Sequence, residues 1–87
     1  MGTMQTVHVF DTWVTTPEHT LHFDVMTADL ATALKLATAY VAAKGHTSVS
    51  ITAEECRFCH AEPLVVFSEQ QQREFREAGG FIVPLSA

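Results

Sequence analysis

Residues 56–60 read Cys56-Arg57-Phe58-Cys59-His60, and these two cysteines are the only ones in the chain. Several chemistries fit these letters. Thiolates at this spacing grip one zinc ion where the backbone turns tightly, and His60 would be a third ligand. A fourth would have to come from His46, His22, His8, a carboxylate or water. A strong zinc signature has two such half-sites, and this chain has one. In an extended strand, residues three apart also point to opposite faces. A redox pair needs a thiol of lowered pKa where a helix begins; Arg57 favours this, while Glu54 and Glu55 oppose it. The haem-attachment pattern matches too, but that attachment normally follows export, and no distinct haem-pocket segment is evident. The plain reading is two small buried hydrophobes with His60 as a hydrogen-bonded neighbour. That reading is the expectation, and no cofactor is expected with it. The alternative is zinc or thiol-redox chemistry at Cys56, Cys59 and His60.

A second set of residues lies near the N-terminus. Asp11 stands in the row Val7-Val9-Asp11-Trp13 of an alternating segment, where half-burial is expected. A buried carboxylate needs partners, or its pKa rises. Thr12, Thr15 or backbone amides near the following turn are the expected partners, which would make Asp11 a structural anchor. The competing reading is a ligand pocket lined by Asp11, Trp13, His22 and Asp24. One strand register would instead gather His8, Thr12, His22 and Asp24 as a metal triad or acid–base pair. An odd shift of register separates that group.

These residues must be positioned by strands and helices. Residues 7–14 and 20–26 are rich in β-branched and aromatic side chains, and a turn-like Thr15-Thr16-Pro17-Glu18-His19 joins them. A hairpin is expected, with Leu21, Phe23 and Val25 on one face of its second strand and His22, Asp24 and Met26 on the other. Residues 28–44 repeat Leu30, Ala33, Leu34, Ala37, Tyr40 and Val41 at helical spacing, with Thr27 as the expected N-cap and Lys44-Gly45 as the end. Thr52 to Glu55 match a capping box and predict a short turn, followed by a strand over roughly 56–62 that Pro63 breaks. Leu64-Val65-Val66-Phe67 is too short to classify by period. Ser68-Glu69-Gln70-Gln71 opens a helix to about Ala78, with Phe75 and Ala78 inward, and Gly79-Gly80 ends it. Phe81 to Val83 form a last strand, and Pro84 predicts that it lies at an edge or stops early. The expected fold is α+β in the order β-β-α-β-α-β, a mixed four-stranded sheet with two helices in one compact domain. Any parallel β-α-β unit in it would cross over right-handed. Residues 1–87 make a single domain, with 1–4 expected to be disordered or added by cloning.

Composition narrows the function classes. The net charge is −5, and the five Lys and Arg are scattered, so no nucleic-acid partner is expected. No apolar run approaches the ~18 residues of a membrane span, and no secretory signal is evident at the start, so a cytoplasmic protein without a membrane partner is expected. No glycine-rich phosphate loop and no G-x-S-x-G elbow occurs.

The stretches Phe10-Asp11-Thr12-Trp13-Val14, His22-Phe23-Asp24 and Glu55-Cys56-Arg57-Phe58-Cys59-His60 together resemble a small bacterial family, domain of unknown function number twenty twenty-four. The likeness runs from about residue 5 to residue 83. It implies a compact bacterial α+β domain, and no activity comes with it. Small size, low charge and the absence of a complete catalytic set make a binding or interaction module without catalysis of its own the expected function. Apolar surface near Leu64 to Phe67 is expected to carry a homodimer or protein partner.

Overall fold

A computed structural model describes residues 5–46, 49–56 and 61–85. It is an α+β domain in which two helices pack on a sheet. Strands β1 (Thr6–Thr15) and β2 (Thr20–Thr27) form the hairpin at its centre. Thr16 builds the connection. Its hydroxyl donates to the His19 carbonyl (2.8 Å) and accepts from the Glu18 and His19 amides. This turn closes on Thr15 opposite Thr20 and so sets every later pair, including Trp13 with His22 and Asp11 with Asp24.

Strand β3 (Ser50–Glu55) lies on the outer side of β1, and β5 (Gly80–Pro84) on the outer side of β2, giving the order β3-β1-β2-β5. A two-residue strand, β4 (Glu62–Pro63), pairs with the start of β1. The sheet thus has a fifth short strand, and among the described residues each pairing is antiparallel, so no right-handed parallel crossover arises there. The last strand does lie at an edge, where Pro84 withholds no ladder bond from a central neighbour.

The turn expected at Thr52 to Glu55 is instead strand β3. A capping box is only a local preference. Six residue pairs with β1 outweigh it. The strand expected over 56–62 falls largely on residues 57–60, outside the described residues, and Pro63 belongs to β4.

Helix α1 (Leu30–Ala43) covers one face of the sheet. Asp29, not Thr27, is its N-cap and accepts from the Thr32 amide (2.8 Å), a bond that holds the Asp29 carboxyl below its ordinary range. Thr27 ends β2, and its buried hydroxyl donates to the Gly79 carbonyl (2.6 Å). The inward residues of α1 are Ala33, Ala37 and Val41, whose small side chains let the helix approach Phe10, Val14, Leu21, Phe23 and Val25 closely. Leu30 and Leu34, which share the apolar spacing, are exposed instead. The buried stripe is narrow, and they lie on its shoulder.

Helix α2 (Glu69–Ala78) starts with a complete capping box. Ser68 accepts from the Gln71 amide, and Gln71 accepts from the Ser68 amide. It ends at Gly79, whose φ of 92° suits glycine. Phe75 is its buried residue, whereas Ala78 is exposed. With a 3-10 turn at Leu64–Val66, α2 builds a second core on the other sheet face, where Phe75 and Leu64 meet Val7 and Phe81, flanked by Met26, Phe67 and Val83. The run at 64–67 therefore divides: Leu64 is buried, while Val65 and Val66 are exposed. Among the described residues no helix is long and apolar enough to cross a membrane.

Candidate functional site

Strand alternation and the hairpin register together build the site. Alternation puts Asp11 and Trp13 on the face of β1 that points away from α1, and His22 and Asp24 on the same face of β2. The register then sets Asp11 directly opposite Asp24 and Trp13 directly opposite His22. Directly opposed residues have Cβ atoms only ~5 Å apart, so these pairs must interact. The second core occupies the Val7 and Met26 end of this face. The Asp11 and Trp13 end stays open, with Trp13 48% exposed.

The Trp13 and His22 rings stack with centroids 3.7 Å apart and planes 5° from parallel. His22 Nε2 lies 3.9 Å from Asp11 Oδ1. One ligand atom each from Asp11, His22 and Asp24 lies within 4.8 Å of the other two. Among the described residues, Asp24 Oδ1 is a buried acceptor without a hydrogen-bond donor. Burial pushes the Asp24 carboxyl from its ordinary 3.8 up to about 6. A hydrogen bond shared with Asp11 and the Asp11 charge push in the same direction, and His22 opposes them. The two carboxyl groups share that bond only when one of them keeps a proton. With both ionised, neither carboxylate can donate to the other.

This shift has a sign that can be measured. A carboxyl whose folded pKa exceeds its unfolded pKa binds more protons in the folded state. Its contribution to stability therefore falls as pH rises from about 4 to about 6, and stays lost above that. The charged neighbours facing Asp24 are Asp11 and His22, with Glu54 beyond Asp11 on β3; on β5 the residue opposite Asp24 is the apolar Val83. Asp24→Asn is expected to be more stable than wild type at pH 7 and equal to it below about pH 4. Parallel urea-denaturation profiles for the two proteins across that window would refute the assignment.

The alternative group of His8, Thr12, His22 and Asp24 does not form. The register pairs odd with even positions, so His8 faces Thr27 and Thr12 faces Phe23, on the α1 side. Thr12 is buried and donates to the Phe10 carbonyl (3.1 Å), and His8 Nδ1 meets Glu55 Oε2 at 2.9 Å. Asp11 likewise turns to His22 and Asp24, not to Thr12, Thr15 or the turn amides. His46, considered as a fourth zinc ligand, stands edge-on to His19 with ring centroids 5.9 Å apart. Cys56 is half-buried and disulfide-bonded, and its amide donates to the Val9 carbonyl. Cys59 and His60 lie outside the described residues.

One residue of this face escaped the sequence reading. Glu54 pairs directly with Asp11, so the row Glu54-Asp11-Asp24 crosses three adjacent strands. Taking Ser50 to Glu55 as an alternating strand would have placed Thr52 and Glu54 together on this side.

The sequence pattern of the family described as Domain of unknown function (DUF2024) matches residues 4–85. The chain belongs to that family. The match spans both strands of the site hairpin, β3, and the Cys56 to His60 segment alike. No curated protein and no solved structure matches the chain.

Proposed function

We propose that the chain is a small binding module without catalysis of its own, and that it takes a positively charged ligand on the open sheet face. The observation that supports this most is the convergence of the Asp11, His22 and Asp24 ligand atoms within 4.8 Å, beside an exposed indole. Two opposed carboxylates repel each other in a half-buried setting, and a cation relieves that repulsion as a proton does. Glu54 extends the negative row, and the net charge of −5 adds a favourable long-range field. Trp13 is half-exposed with one face stacked on His22, and its other ring face is the one that would offer a cation–π surface.

Trp13 is the only tryptophan, so its fluorescence reports on this face directly. Titration with zinc chloride and, separately, with argininamide is expected to give a saturable change with at least one of the two. The double variant Asp11→Asn/Asp24→Asn is expected to abolish it. No saturable response to either cation, or an unchanged response in the double variant, refutes the reading.

A further inference from the structure

We propose that Asp11, His22 and Asp24 form a three-ligand site for a divalent first-row transition-metal ion, with the Trp13 indole holding the His22 ring in place. This rests on the cation-binding reading above and names the cation.

The donor set points to such an ion. Imidazole nitrogen suits zinc, iron, nickel and copper, whereas magnesium and calcium prefer oxygen alone. Two carboxylates cancel the dipositive charge, and one neutral nitrogen adds selectivity. Three protein ligands leave a position for water, the pattern of an open site.

The distances suit the same reading. Ligand bonds of ~2.1 Å at tetrahedral angles separate donor atoms by about 3.4 Å. His22 Nε2 and Asp11 Oδ1 stand at 3.9 Å, and the whole set falls within 4.8 Å. A bound ion would have to draw these atoms somewhat closer than they stand. Asp24 Oδ1 is a buried acceptor lacking a donor among the described residues, and one oxygen of that carboxyl belongs to the converging set.

The ligands also sit on rigid elements. All three come from the two central strands, which are hydrogen-bonded on both sides by β3 and β5. The stack at 3.7 Å restricts rotation of the His22 ring, the orienting task that a neighbour performs for metal-bound histidines.

Zinc uptake by the whole chain, measured by equilibrium dialysis with metal analysis in the absence of reductant, tests the proposal. Wild type is expected to bind one equivalent, and Mg²⁺ in excess is expected not to displace it. Asp24→Asn removes a like-charge contact and keeps side-chain volume, so its fold is expected to survive, which circular dichroism would verify. Asp24→Asn, Asp11→Asn and His22→Gln should each weaken zinc binding by more than about tenfold, since even an orienting neighbour is worth about 10–100-fold. Trp13→Ala should weaken it within that range, and Trp13→Phe, which keeps a stacking ring, should restore most of it. Zinc binding that survives Asp24→Asn and His22→Gln would belong to another site and overturn the proposal. No zinc uptake alongside a retained argininamide response overturns the metal assignment and leaves the cation-binding reading standing. Loss of both responses ends both.

Discussion

Replacing Phe23 by alanine is expected to remove about 3–5 kcal/mol of folding stability. Phe23 is the largest fully buried side chain among the described residues, at 1% exposure. It stands opposite Thr12 on β1 and meets Tyr40 of α1 edge-on, with ring centroids 4.8 Å apart. Removing the ring costs the transfer energy of the buried carbons and leaves a cavity between helix and sheet. The alanines of α1 offer nothing long enough to fill it. A domain of this length has about 4–13 kcal/mol in total, so the loss is a large share. Urea denaturation should show a lower midpoint with an unchanged slope, and a loss below about 1 kcal/mol would mean that the helix collapses onto the gap. Phe23 also stands between His22 and Asp24 in sequence, so one strand carries the core on one face and the candidate site on the other. Loosening the first is expected to blur the second.

Gly80→Ala is expected to be the next most damaging change. An added Cβ would lie 2.5 Å from the Met26 carbonyl oxygen and 2.8 Å from both Thr27 Cβ and Leu36 Cδ1. Leu36 is a side chain that can move, but the Met26 oxygen is backbone of the strand that carries His22 and Asp24. The mutant must therefore push β5 off β2 at the start of its ladder. Overpacking of this kind costs about 1–3 kcal/mol, and a backbone obstacle puts Gly80→Ala at the upper end. Thermal denaturation would measure it. Amide exchange in β5 should also accelerate more than in β3, which pairs elsewhere. Uniform acceleration across both strands would show that the strain does not stay at this edge.

Much of this fold was legible as periodicity. The two-residue repeat of β1 and β2 and the helical repeat of α1 are strong because each element buries one face over many residues. The capping box and Gly79 delimit α2 for the same local reason: a few neighbouring atoms satisfy the free backbone groups. Reading failed where a local preference competed with distant partners. Thr52 to Glu55 satisfy a cap pattern, yet the exposed edge of β1 offered six residues of ladder pairing. Thr27 has a cap-forming side chain, but burial beneath Gly79 used its hydroxyl elsewhere. Leu30 and Leu34 match the apolar period, and only the width of the sheet beneath α1 decides which side of that stripe is covered.

The candidate site divides along the same line. The sequence by itself determined that Asp11 shares a face with Trp13, and that His22 shares one with Asp24, because side chains in a strand alternate whatever lies beside it. It also determined which face of β2 is apolar. The tertiary structure alone decided that these two polar faces are the same face, that Asp11 stands against Asp24 and Trp13 against His22, and that Glu54 joins the row. Register depends on how the Thr16 turn closes and on which residues α1 buries from the other side, and a slip of β2 by one residue would have sent His22 and Asp24 to the helix-covered side, away from Asp11 and Trp13.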